Sequence, residues 1–144
     1  MSIQCCPRCG EAVVSDPPSP GLRCSAEAFT ALRPVLHRRR QERFFVVALD
    51  ARNRVIRRHL VAVGSLSSVT VHPREVFAPL IRDRAAAALL VHNHPSGDPT
   101  ASVEDIDLTR RMLEAGRLLG IPVLDHLIIG RDGYTSLRDD GVLQ

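Results

Sequence analysis

The chain has 144 residues, 44% of them hydrophobic and 24% charged, which suits one globular core and is too short for two. With no Trp and one Tyr, the core must be built from Val, Leu, Ile and Ala, and a platform that stacks single-stranded bases is not expected. The net charge is +3 and every basic side chain is Arg; outside the cluster from Arg33 to Arg43 acids are interleaved with them, which reads as a solvated surface rather than a nucleic-acid footprint.

In chain order, residues 1–25 stand apart from residues 26–144. They carry all four cysteines and the run Asp16-Pro17-Pro18-Ser19-Pro20-Gly21, so they are expected to form an arm, and the remainder the folded domain. No segment approaches the ~18 apolar residues of a membrane span, and the N-terminus lacks the apolar block of a signal peptide; a cytoplasmic protein with reduced thiols is expected. Cys6-Pro7-Arg8-Cys9 is half of a zinc knuckle, with Cys24 as a third donor and Cys5 or His37 as candidate fourths. A disordered arm with free thiols is the favoured expectation over this structural zinc site.

A helix is expected from Ser25, read as its N-cap, to the Arg run, with Pro34 interrupting it. Phe44 to Leu49 and Val55 to Val63 flank the turn Asp50-Ala51-Arg52-Asn53 and predict a β-hairpin. Ser68 to His72 resembles a short strand, Pro73 opens a helix to about Arg84, and Ala85 to Val91 reads as a buried strand. After the loop forced by Pro95, Gly97 and Pro99, Ser102 caps a helix whose apolar positions Val103, Ile106, Leu113 and Leu119 are read as one face, closing at Gly120. Leu124 to Ile129 is a further strand, and Gly130-Arg131-Asp132-Gly133 turns into a last one from Tyr134 to Leu137. This order gives an α/β chain of the α+β kind.

His92 and His94 lie two apart at the end of an apolar strand, so strand alternation turns both imidazoles to one face, where they can share an ion. A catalytic zinc takes three protein donors and keeps one position open. Asp105, on the first turn of the helix capped by Ser102, supplies a carboxylate as the third. Taken singly, a His-x-His pair and a Ser-x-x-Asp cap are ordinary features. The string His92-x-His94-Pro95 through Ser102-x-x-Asp105 matches the JAMM zinc motif position for position. The letters His92-Asn93-His94 do not make an HNH nuclease, whose residues are spread across a ββα unit.

Val71-His72-Pro73-Arg74-Glu75-Val76-Phe77, Val91-His92-Asn93-His94-Pro95-Ser96-Gly97-Asp98-Pro99 and Leu119-Gly120-Ile121-Pro122-Val123-Leu124-Asp125-His126-Leu127-Ile128-Ile129-Gly130 closely resemble the bacterial RadC family. The resemblance covers about Glu42 to the C-terminus. It implies a JAMM (MPN-like) fold, with a curved mixed sheet flanked by helices around a Zn2+ site. It further implies hydrolysis of an amide or isopeptide bond in a peptide or protein conjugate. RadC proteins commonly carry a helix-hairpin-helix region where this chain has its Cys-bearing arm, a departure that weakens any inference to DNA and leaves it an uncertain partner.

The JAMM pattern also requires an upstream glutamate that activates water. Glu42, before the apolar run at Phe44, is favoured over Glu75, whose place in a helix first turn already accounts for an acid. On this reading Glu42 moves the proton and Ser102 donates to the oxyanion. Asp125 and His126 read equally well as partners of the metal donors or as packed strand residues. The alternative from another class is a metal-bearing binding module, associated with DNA repair or a mobile-element partner, without turnover. The reach of Glu42 discriminates between the two.

Overall fold

The computed structural model describes residues 2–5, 12–15, 20–37, 39–64 and 71–143. Its main body is a five-stranded mixed sheet in the order β4-β3-β5-β6-β7. The strands are β3 (Arg43–Leu49), β4 (Val55–Val63), β5 (Ala87–Asn93), β6 (Val123–Ile129) and β7 (Tyr134–Ser136). Three helices flank it: α1 (Ser25–Leu36), α2 (Pro73–Arg82) and α3 (Val103–Leu119). The mixed α/β architecture expected from the order of apolar runs is the one observed.

All contacts between neighbouring strands are antiparallel except β5 with β6. A parallel pair needs a long crossover, and α3 provides it. The crossover brings the N-terminus of α3 back to the C-terminal end of β5, where the His-x-His pair sits. Each face of the sheet has its own core. Phe44, Val46, Ala48, Ala88 and Leu90 pack with Phe77 of α2 and Met112 of α3. On the other face Val47, Leu49, Leu89, Val91, Leu127 and Ile129 pack with Ala28, Leu32 and Leu36 of α1. No helix among the described residues is long and apolar enough to cross a membrane.

Four expectations need correction. The N-terminal arm contains an antiparallel pair, β1 (Ser2–Cys5) with β2 (Ala12–Ser15), rather than being without structure. The strand expected at Ser68 to His72 falls largely outside the described residues. Its described end is not strand: the His72 side chain accepts a hydrogen bond from Arg74 N as the N-cap of α2. Helix α1 is capped by Cys24 rather than Ser25 and continues through Pro34 to Leu36, because Leu32 and Leu36 are buried against the sheet and packing outweighs the lost hydrogen bond. Finally, α3 does not bury the face expected of it. Val103 and Leu119 are exposed, and the inward residues are Asp105, Leu108, Thr109, Met112 and Gly116. Two polar residues define that face because it covers the His92 end of the sheet.

Candidate metal centre

Strand β5 carries His92 to the end of the sheet with its side chain wholly buried, and His94 follows just beyond the strand, partly buried. Their Nε2 atoms are 3.0 Å apart. Asp105 reaches them from the first turn of α3, Oδ1 at 3.1 Å from His92 Nε2 and Oδ2 at 3.2 Å from His94 Nε2. The first turn of α3 is fixed by a reciprocal capping box: Ser102 Oγ accepts from Asp105 N at 3.1 Å, and Ser102 N donates to Asp105 Oδ2 at 2.8 Å. The cap that starts the helix is therefore also what aims the carboxylate.

Glu42, just before β3, places Oε1 3.9 Å from both histidine Nε2 atoms. Two sets of three donors can thus be drawn around the histidine pair. Glu42, His92 and His94 offer atoms within 4.8 Å of one another. Asp105 with the same histidines is tighter. Ligands at ~2.0 to 2.1 Å from a tetrahedral zinc lie about 3.3 Å from each other; the two Nε2 atoms at 3.0 Å, and Asp105 with a different oxygen 3.1 and 3.2 Å from each of them, approach that spacing, and Glu42 Oε1 at 3.9 Å exceeds it.

The hydrogen bonds behind the histidines decide which nitrogens carry protons, an assignment made from the network. Thr109 Oγ1 donates to Asp105 O at 2.6 Å, so its contact with His126 Nδ1 at 2.5 Å is one in which the imidazole donates. His126 Nε2 is then bare and accepts from His92 Nδ1 at 2.7 Å. That leaves the lone pair of His92 Nε2 facing the cluster. Similarly, His94 Nδ1 donates to Asp98 O at 2.9 Å and presents its own bare Nε2. Two imidazole lone pairs and a carboxylate converge with no resident donor between them, which is the donor set of a borderline divalent cation. The residues fit a metal ion.

Without a metal ion, protons on the same Nε2 atoms are donated to Asp105 instead, and the protonation energetics describe that state. Burial alone would raise the Asp105 carboxyl, but hydrogen bonds from His92 and His94 outweigh it and hold the group well below the usual range. The bond to Asp105 pushes the His94 imidazole up against the effect of burial. His126 is pushed far down, first by complete burial and then by His92, so it stays neutral and able to accept.

Two residues that the sequence did not single out complete the centre. Asn93 points away from its histidine neighbours; its Oδ1 accepts from Arg43 N at 2.7 Å and its Nδ2 donates to Gln41 O at 3.1 Å. One buried amide thereby clamps the backbone on both sides of Glu42. Thr109 is the other, being the link between the backbone of Asp105 and His126. Of the pair left open, His126 touches His92, whereas Asp125 faces elsewhere and accepts from Ser136 Oγ at 2.6 Å and Arg138 N at 3.1 Å, tying β6 to the C-terminal turn. Glu75 lies in the first turn of α2, exposed and 3.5 Å from Arg74, with no contact to either histidine.

The loop after His94 turns at Gly97, whose φ of +90° disfavours a side chain. A Cβ on Gly130 would come within 2.4 Å of Gly97 O, so the loop and the end of β6 lie together only because that residue is glycine. Of the candidate knuckle, Cys6 and Cys9 lie outside the described residues. Cys24 is an exposed thiol at the start of α1. His37 caps the other end of that helix, about 20 Å away at 1.5 Å per residue, so the two cannot hold one ion.

A family model described as a RadC-like JAB domain matches residues 22–142. A UPF0758 protein of Syntrophotalea carbinolica is 49% identical over 130 residues, covering 89% of this chain and 57% of that protein. Another, from Pelobacter propionicus, is 57% identical over 104 residues, covering 72% of this chain and 45% of its own. A third, from Methanosarcina barkeri, is 43% identical over 118 residues, covering 82% and 52%. The chain spans about half the length of the curated relatives it matches.

Proposed function

The chain belongs to the RadC-like JAB domain family, and from that premise we propose that it is a zinc-dependent hydrolase of amide or isopeptide bonds in peptides or protein conjugates. The observation that carries this reading is the position of Glu42: outside the tight His92, His94, Asp105 cluster, yet 3.9 Å from both Nε2 atoms. A purely structural metal site has no use for a carboxylate held at one remove, whereas hydrolysis needs a base there.

His92, His94 and Asp105 would hold the ion. When bound, zinc supplies a Lewis acid that lowers the pKa of a water from 15.7 toward ~7 and polarises the scissile carbonyl. Glu42 takes a proton from the attacking water as its oxygen bonds to the carbonyl carbon. As the C–N bond breaks, Glu42 returns that proton to the leaving amine, so its charge is restored each cycle. Asn93 keeps Glu42 in register through the backbone of Gln41 and Arg43. Ser102 uses its oxygen as the helix cap, and its hydroxyl hydrogen is the donor assigned to the oxyanion. His126 and Thr109 hold His92 in the tautomer that exposes Nε2.

The test is cleavage profiling of a proteome-derived peptide library by mass spectrometry, with zinc-loaded wild type and Glu42→Gln. Zinc-dependent cleavage by wild type and its loss in a variant that still holds zinc are expected. Stoichiometric zinc with no cleavage, or cleavage indifferent to Glu42, would instead favour a metal-bearing binding module.

A further inference from the structure

Resting on the hydrolase reading, we propose that the groove beside the metal centre binds an acidic segment of the substrate, a stretch of peptide bearing Asp or Glu side chains. A cavity of about 480 Å³ opens between the end of α1, the loop after β5 and the turn after β6. His94 lines it, so a chain lying in the groove reaches the metal centre directly. Arg39, Arg40 and Arg131 line it as well, together with Leu36 and Ile129 from the apolar α1 face, and no acidic residue does.

The groove gathers three guanidinium groups with no carboxylate among its lining residues. Five arginines elsewhere sit beside carboxylates: Arg23 with Glu27, Arg54 with Asp50, Arg57 with Asp83, Arg74 with Glu75 and Arg110 with Asp107. The three groove arginines make no such pair among the described residues. Arg39 is also anchored, its Nε donating to Val35 O at 3.1 Å at the end of α1. Gathering three guanidinium groups near a cation site is unfavourable unless an anion joins them, and their planar forks match carboxylates in bidentate geometry. Besides His94 no aromatic ring lines the groove, so stacked bases have no seat there. Peptide carboxylates are the anions that an amide substrate itself brings.

The experiment uses the full, zinc-loaded chain and fluorescence anisotropy at physiological salt. The probes are a labelled peptide of alternating Glu and Gly, its Gln-for-Glu counterpart, and labelled oligothymidylate. The Glu peptide should bind at least ~10-fold more tightly than the Gln peptide, a difference worth about 1.4 kcal/mol. Arg40→Glu with Arg131→Glu should erase that preference. Arg57→Glu with Arg58→Glu makes the same charge change beside Ala48 and Val47, toward the end of the β3–β4 pairing away from Phe44 and His92, and should leave the preference within about twofold. Equal binding of both peptides would overturn the proposal, and so would equal losses in the two double variants, which would reduce it to net charge. Oligothymidylate displacing the Glu peptide from the groove would overturn it in favour of nucleic acid. Zinc content of the same samples keeps the two readings apart: a zinc-free wild type sinks the hydrolase, while the peptide preference is decided by its own arms.

Discussion

The two faces of the central sheet are made of the same kinds of strand residue yet are built for different ends. The face under α1 is apolar throughout, from Ala28 and Leu32 of the helix to Val91 and Leu127 of the strands. The face under α2 and α3 begins in the same way around Phe77 and Met112. At its far end it gives way to His92, His126, Thr109 and Asp105, all buried. Buried polar groups are costly unless each is paired, and here each has its partner, with only the two Nε2 lone pairs and the carboxylate turned outward together. One face holds the sheet together, and the other spends part of its packing on a set of aimed donors.

That comparison can be broken from either side. The largest expected effect is on the polar end: His92→Ala should abolish stoichiometric zinc, read by mass spectrometry of the purified protein. On the apolar face, Leu32→Ala should lower unfolding free energy by ~2 to 5 kcal/mol in urea titrations while zinc stoichiometry stays unchanged, because Leu32 is buried and far from the donors in function. A change in zinc content there would show that the faces are not independent. Thr109→Val conserves shape but removes the acceptor for His126 Nδ1, freeing the His92 tautomer. Zinc affinity should fall by ~10 to 100-fold in a competition titration with a chelating dye, with little change in secondary structure by circular dichroism.

The smallest effect is in pH. The His94 imidazole is raised above its ordinary value of 6.5 by Asp105, so its contribution to metal-free stability is present below that value and lost as pH rises through the raised one. Zinc requires that proton gone. The zinc-induced rise in Tm should therefore grow steadily from mildly acidic to mildly alkaline pH and be flattened in His94→Ala. A zinc effect largest at acidic pH would contradict the assignment of His94 as a donor.

The strands were legible because continuous apolar runs such as Phe44 to Leu49, bounded by turn residues, have few other solutions. The meeting of His92, His94 and Asp105 was legible because strand alternation, the cap at Ser102 and the JAMM-like spacing are all local patterns. What escaped depends on distant contacts. Thr109 matters because it meets His126, 17 residues on, and Asn93 because it clamps residues some 50 positions earlier. The inward face of α3 was misread for the same reason: hydrophobicity points to Val103 and Leu119, while the fold turns Asp105 and Thr109 inward. The β1–β2 pair was hidden by its shortness and by the Cys and Pro residues around it.

The two donor sets that the geometry permits make the central claim directly testable. Zinc content should be measured on wild type, Asp105→Ala and Glu42→Gln, purified alike and checked for folding. The account predicts one zinc per chain in wild type and in Glu42→Gln, and its loss in Asp105→Ala. Zinc retained without Asp105 and lost with Glu42→Gln would contradict it, making Glu42 a ligand and leaving the centre without its base.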